Sequence, residues 1–241
     1  MPVGVTTTSR EIYELHMLVL WVCVVIGAGV YGAMIAAIVK FRKSKGAVAA
    51  KFTHNATMEV IWTVIPAVIL VAMAVPAAET LIRMKDTRDS ELTIKVTGYQ
   101  WRWHYDYIDE EVGFFSTLDR ESNAARRRGS GIDPNTVDHY LLKVDNEVVV
   151  PVDTKVRLLI TAADVLHAWW VPALAVKQDA VPGFIKDAWF TADTVGTYRG
   201  QCAELCGMDH GFMPIVVRVA SQEDYEAWLA SQRTRVSAVT Q

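Results

Sequence analysis

Cysteine is scarce in this chain of 241 residues: there are three, and Cys23 lies in an apolar run far from Cys202 and Cys206. A four-cysteine iron–sulfur cluster is therefore excluded in its usual form. No Cys-x-x-Cys-His is present, so no c-type haem attachment is expected, and there is no plausible haem-binding set. No second histidine follows His210, which leaves the usual spacing of a structural zinc knuckle incomplete. There is no internal repeat. Charge is also missing from two long stretches, the 23 residues Met17–Val39 and the 19 residues Val60–Ala78. Each is near the roughly 20 residues that carry a helix across the hydrocarbon core of a bilayer. A signal peptide has a shorter apolar region, about 7 to 15 residues, with basic charge before it. Here Arg10 is offset by Glu11 and Glu14. Two membrane helices are expected, over about 15–40 and 58–79, with Pro66 and Pro76 tolerated in the second.

The loop between the helices carries Lys40, Arg42, Lys43, Lys45 and Lys51 with no acid before Glu59. The positive-inside rule places that loop in the cytoplasm, so both termini face outward. The expected organisation is a segment 1–78 containing the hairpin and an outer domain 79–241, a size ordinary for one domain. Up to Ala78 there are six basic and three acidic residues, and from Glu79 onward 18 basic and 24 acidic, so the anchor is net +3 and the outer domain net −6. An acidic excess confers solubility and also steers basic partners. Arg126-Arg127-Arg128 is read as a solvated loop or a contact to a subunit or lipid, and no nucleic-acid partner is expected.

The outer domain reads as β-rich. Glu91–Thr97, Trp101–Tyr107, Tyr140–Val144, Lys155–Thr161, Ala188–Thr191 and Ile215–Val219 alternate apolar with polar residues or are rich in β-branched ones. Short strands broken by Asp-Asn and Pro-Gly turns suggest a sandwich or barrel. The polar stretch Asp109–Pro134 is expected to loop out of it. Ser221 and Asp224 resemble a capping box opening a short helix through about Ser231.

The most telling segment is Cys202-Ala203-Glu204-Leu205-Cys206-Gly207-Met208-Asp209-His210-Gly211-Phe212-Met213. Two thiols, an imidazole and a thioether suit a redox copper, because soft sulfur stabilises the reduced ion and imidazole tolerates both oxidation states. A disulfide would leave His210 and Met213 unexplained, and zinc is the closer rival. Of the other histidines, His167 stands apart, following a candidate strand in the aromatic segment Asp164-Val165-Leu166-His167-Ala168-Trp169-Trp170. It can be brought against the cysteine loop at one end of a sandwich.

These segments resemble the copper-binding loops of subunit II of the haem–copper cytochrome c oxidases of aa3 type. The likeness rests on Asp164–His167, on Val176-Lys177-Gln178-Asp179-Ala180-Val181-Pro182-Gly183, on Gly200–Gly207 and on Phe212-Met213-Pro214. It extends to Glu59–Pro66 in the hairpin and to Gly98-Tyr99-Gln100-Trp101-Arg102-Trp103-His104-Tyr105, and so covers nearly the whole chain. It implies an all-β, cupredoxin-like Greek-key barrel holding a binuclear copper A centre. By the same resemblance Cys202 and Cys206 would bridge two copper ions, His167 and Met213 would complete one, and His210 with the Glu204 carbonyl the other. The Glu204 side chain would reach a magnesium or manganese ion shared with subunit I, to which hard carboxylate oxygen is suited. Trp101 would be the point where electrons come in, Asp106, Asp145 and Asp164 would dock cytochrome c, with Glu110 and Glu111 adding to them, and Glu59 would open a proton-uptake path.

The function implied is acceptance of electrons from a c-type cytochrome and their passage to haem in subunit I, which reduces oxygen to water and pumps protons. Subunit I, subunit III, further oxidase subunits and membrane lipid are the implied partners, in the bacterial inner membrane. The rival classes are a copper-free quinol oxidase subunit, against which the full donor set argues; a tethered single-copper protein, which needs one cysteine rather than two; and a zinc-stabilised interaction domain.

Overall fold

The computed structural model describes residues 4–239, with side chains to 234. The chain divides into two units: Glu11–Ile82, and the residues up to Arg10 together with Arg83 onward.

The first unit is helical. α1 (Thr7–Lys40, 34 residues) and α2 (Ala56–Met84, 29 residues) are both long and apolar enough to cross a membrane. At 1.5 Å per residue they measure about 50 and 44 Å, more than the hydrocarbon core needs. Trp21, Val25, Ile35, Trp62, Ile65 and Val71 are exposed in the chain itself, an apolar surface that water would not tolerate and that lipid or protein covers. Both helices exceed their expected spans: α1 begins at Thr7 rather than near 15, and α2 runs past Ala78 to Met84. The polar ends are what hydropathy does not see. Pro66 and Pro76 lie inside α2 without ending it. Asn55 caps α2, its side-chain oxygen accepting from Met58 N–H at 3.2 Å, while Glu59 accepts from Asn55 N–H at 3.3 Å.

Among its described residues the second unit is a β domain of ten strands in two five-stranded sheets, with two helices added. In chain order the strands are β1 (Leu92–Tyr99), β2 (Arg102–Tyr107), β3 (Val112–Ser116), β4 (Val148–Pro151), β5 (Lys155–Ala162), β6 (His167–Val171), β7 (Val176–Ala180), β8 (Lys186–Thr191), β9 (Gly196–Cys202) and β10 (Pro214–Ala220). One sheet runs β3-β2-β1-β5-β8 and the other β4-β10-β9-β6-β7. The pairs β1–β5 and β4–β10 are parallel and the rest antiparallel. Alternation builds the core: Val156, Leu158, Ile160 and Ala162 of β5 point inward against Ile94, Val96, Trp103, Tyr105, Trp169, Ile215, Val217 and Val219. Tyr107 joins the sheets, its hydroxyl donating to Val149 O at 2.7 Å and accepting from Val149 N–H at 2.9 Å.

The N-terminal residues belong to this domain. Val5 N–H donates to Ala173 O at 3.0 Å, Asp193 N–H to Val5 O at 3.0 Å, and Arg10 pairs with Asp193 at 2.5 Å.

Three expectations are corrected. Tyr140–Val144 is not a strand: His139 and Leu141 take left-handed φ of 48° and 61°, which coil the segment, and only Val144 pairs, with Leu118. The stretch 109–134 does not simply loop out, since it contains β3 and the helix α3 (Arg120–Ala125) and buries Val112, Leu118 and Ala125. The last helix, α4 (Gln222–Val239), continues beyond Ser231. Its start is as read: Asp224 N–H donates to Ser221 Oγ at 3.1 Å.

Candidate metal centre

Strand register assembles the donors. β9 ends on Cys202, the loop 203–213 follows, and β10 starts at Pro214 paired back to Gln201. Beside β9 lies β6, with Trp169 opposite Cys202, and the contact is extended by Ala203 N–H donating to Ala168 O at 3.0 Å. His167, the first residue of β6, is thereby carried to the root of the loop.

Six groups converge there. Cys202 Sγ lies 4.0 Å from Cys206 Sγ, 3.9 Å from His167 Nδ1 and 3.3 Å from the Glu204 carbonyl oxygen. Cys206 Sγ lies 3.5 Å from His210 Nδ1 and 3.5 Å from Met213 Sδ. His167, Cys202, Cys206 and Met213 are buried, while His210 is half-buried. Among the described residues, His167, Cys202 and Cys206 form the tight cluster whose ligand atoms all lie within 4.8 Å of one another. The two thiols are free.

Electrostatics favour a cation here. Burial alone raises the Cys202 thiol, but hydrogen bonds from His167, the Ala168 and Glu204 backbone and His210 outweigh it and bring it down to about 7. Burial and then the negative charge on Cys202 push Cys206 up to about 12. Two sulfurs this close do not both ionise at neutral pH without positive charge between them. A soft metal cation supplies that charge, and the set of two sulfurs, two imidazoles, a thioether and a carbonyl fits copper.

The surroundings hold the donors in place. Asp164 Oδ1 lies 2.9 Å from His167 Nε2, and Asp164 also accepts from Gln100 N–H at 2.7 Å and from Val165 N–H at 2.7 Å. Burial raises the Asp164 carboxyl, yet the hydrogen bond from His167, with those from the backbone, holds it below its ordinary value. An ionised carboxylate only accepts, so Nε2 of His167 is the protonated nitrogen that faces it; Nδ1 faces the sulfurs, donating to Cys202 while the ring is charged and free to bind a metal once that proton leaves. Trp103 Nε1 donates to Met213 O at 3.3 Å, and its ring meets His167 edge-on at 5.9 Å. Gly98 leaves room for the imidazole, since a Cβ there would come within 2.9 Å of the ring.

Trp101 is half-buried and touches the loop: its Nε1 donates to Cys206 O at 3.2 Å, and Gln100 Nε2 reaches the same oxygen at 2.8 Å. Gly207, at φ 118°, permits this approach, because a Cβ there would meet Trp101 Cζ2 at 3.2 Å.

The remaining predicted residues are elsewhere. Glu204 presents its carbonyl to Cys202, but the residue as a whole is exposed. Asp106 lies 3.2 Å from His104 Nδ1 on β2, and Asp145 accepts from Thr117 N–H at 2.7 Å, Thr117 Oγ1 at 2.8 Å and Asn146 N–H at 2.8 Å. Glu59 is in the first turn of α2, within the helical unit. The sequence reading missed the hold of Asp164 on His167, although their spacing of three residues was there to see. It also missed Gln100 and Trp103, whose roles depend on the pairing of β1 with β2 and on the sheet stacking.

Known proteins resemble the chain in both parts. The family description "Cytochrome C oxidase subunit II, periplasmic domain" matches residues 92–220, and "Cytochrome C oxidase subunit II, transmembrane domain" matches residues 1–79. "Probable cytochrome c oxidase subunit 2" of Rickettsia bellii is 42% identical over 224 residues, 92% of this chain and 80% of that protein. "Cytochrome c oxidase subunit 2" of Cereibacter sphaeroides is 42% identical over 205 residues, 82% of this chain and 68% of that protein. Among solved structures, the periplasmic domain of subunit II of cytochrome oxidase (CoxB) of Bradyrhizobium japonicum is 39% identical, covers 62% of this chain and 98% of its own, and superposes with a TM-score of 0.53. A second solved structure, the mixed disulfide intermediate between a thioredoxin-like protein and subunit II of cytochrome c oxidase (CoxBPD), matches with a TM-score of 0.50, at 39% identity over 62% of this chain and 96% of that one. With both modules matched and the donor loop between β9 and β10 in place, the chain belongs to the cytochrome c oxidase subunit II family.

Proposed function

We propose that this chain is the subunit through which an oxidase takes electrons from a c-type cytochrome. It passes them to haem in subunit I, where oxygen is reduced to water and protons are pumped. The observation that carries the reading is the convergence of His167, Cys202, Glu204 O, Cys206, His210 and Met213 at one end of the two sheets. His167 and Met213 would hold one copper ion and His210 and the Glu204 carbonyl the other, with Cys202 and Cys206 serving both. A thiolate-bridged copper pair, when bound, supplies a one-electron couple with little change of geometry between its states.

The chain's own residues do the rest. Trp101 offers a half-buried indole already hydrogen-bonded to the backbone of Cys206, a continuous contact from surface to ligand loop. Asp164 accepts from the N–H of Gln100, the chain neighbour of Trp101, and with Asp106 and Asp145 offers carboxylate to a basic partner. The net −6 of the region after Ala78 favours the same encounter. The exposed Glu204 carboxylate is the group for a magnesium or manganese ion shared with subunit I. Glu59, at the start of α2, is proposed as the entrance of a proton-uptake path.

The basic loop between the helices supports a cytoplasmic side for that end, in a bacterial inner membrane. The hydrogen bonds of Val5 to Ala173 and Asp193 support placing the N-terminus and the β domain on one outer face, as two crossings require. A disulfide between Cys202 and Cys206 would remove both bridging donors. The mixed disulfide between a thioredoxin-like protein and the related subunit II CoxBPD supports a thioredoxin-like dithiol protein as a partner that keeps them reduced.

The test is copper content. Purified full-length chain is expected to hold two copper ions, and Cys202→Ser and Cys206→Ser are each expected to lose the pair. One zinc ion per chain in the wild type would overturn the reading.

A further inference from the structure

The Arg126–Arg128 triplet does not act as one basic patch. Arg127 and Arg128 are exposed, but Arg126 turns in from the end of α3 onto the donor loop. Its Nη1 and Nη2 each donate to one Asp209 carboxylate oxygen at 3.0 Å, in the parallel two-point geometry that fixes orientation as well as distance. Its guanidinium carbon lies 4.2 Å from the centre of the Phe212 ring. Its Nε donates to Asn123 Oδ1 at 2.8 Å, so the fork itself is held from behind. Both partners are about three-quarters shielded, with 24% of each side chain exposed. Such a pair is less screened than one in open water.

The two groups that Arg126 grips bracket a donor. Asp209 directly precedes His210, and Phe212 lies between His210 and Met213. Asp209 also begins the 3-10 turn His210–Phe212 that aims the imidazole at Cys206. The grip has a firm base. Asp119 caps α3, accepting from Glu121 N–H at 3.1 Å and Ser122 N–H at 3.3 Å, and Asp119 N–H donates to Lys143 O at 3.0 Å. Arg199 of β9 ties the same excursion to the sheet through Leu142 O at 2.5 Å.

We infer that Arg126 is a positioning residue that holds the His210–Met213 half of the donor set in place through Asp209 and Phe212. The segment from Leu118 to Val144 is then a brace built onto the barrel to carry that arginine. The other half of the set needs no such brace, because His167 sits in β6 and Cys202 in β9. This rests on the copper reading above. The grip itself belongs to the chain and exists without metal.

Two measurements on full-length protein separate the two claims. In the metal-free chain, amide hydrogen exchange over residues 207–213 is expected to speed up in Arg126→Gln and in Asp209→Asn, with β1, β5 and β10 unchanged. In the copper-loaded chain, extraction of copper by a chelator is expected to be about tenfold faster in those variants. Arg126→Lys keeps the charge but not the planar fork or the stacking, and is expected to fall short of wild type. The double variant should be no worse than Arg126→Gln alone, because the Asp209 contact is already lost in that variant. Wild-type exchange over 207–213 in Arg126→Gln, or loosening spread evenly across the barrel, would overturn the inference. A wild-type chain that binds no copper would sink the copper reading while leaving the exchange result to judge the grip.

Discussion

At the scale of single residues, the site depends on where protons and small side chains are. Asp164 combines two duties that a substitution can separate. As a carboxylate on His167 Nε2 it sets the ring's proton, and as a partly exposed charge beside Trp101 it is available to a basic protein. Asp106 has only the second kind of surroundings, near His104 on β2. Asp106→Asn is therefore expected to weaken cytochrome c association at low salt and to leave the copper spectrum alone. Asp164→Asn is expected to do both, with its spectral change persisting at high salt. Titrating binding against ionic strength while recording the spectrum checks both halves. The donor residues were legible because sulfur and imidazole at this spacing have few other uses. The carboxylate on His167 was read only as a surface charge, since sequence does not show that β6 starts where Asp164 turns back.

At the scale of elements, register does the assembly. Lys155–Thr161 and Ile215–Val219 were readable as strands because alternation or continuous β-branched residues mark one or two buried faces. His167–Val171 and Gly196–Cys202 were not, since Ala168, the two tryptophans and the glycines at 196 and 200 obscure the period. These are the strands that bring His167 to Cys202, so the two halves of the donor set were joined through the family resemblance and not through the strand pattern. Tyr140–Val144 shows the opposite error: an apolar run bent by two left-handed residues. Holding the sheets together falls partly to Tyr107, buried and bonded to both backbone groups of Val149. Tyr107→Phe leaves the Val149 N–H and carbonyl without that partner, and is expected to cost about 1–3 kcal/mol. Chemical denaturation of the full chain measures it, and an unchanged midpoint would mean water replaces the hydroxyl.

At the scale of the whole molecule, the chain joins an apolar helical unit to an acidic β domain. Two uncharged runs and one basic loop were enough to foresee the first, because a membrane imposes length and charge rules that few soluble helices meet. The N-terminal residues hydrogen-bonded into the β domain were not foreseeable, as Val5 and Thr6 carry no strand pattern of their own. Glu59 belongs to this scale because its proposed role reaches into a partner subunit. Its carboxylate accepts from Asn55 N–H, so Glu59→Gln keeps an acceptor at the helix start while removing the charge. Glu59→Ala and Glu59→Gln are both expected to slow oxygen turnover in the assembled complex with the copper spectrum intact. Turnover equal to wild type in Glu59→Gln would reduce the residue to a helix cap.

The proposed electron-entry role rests on two copper ions that would share one electron between Cys202 and Cys206. Electron spin resonance on the oxidised full-length protein tests it most directly. The prediction is one unpaired spin per two copper ions, with hyperfine coupling to two equivalent copper nuclei. A spin coupled to a single copper nucleus, or a silent site filled by zinc, would contradict it.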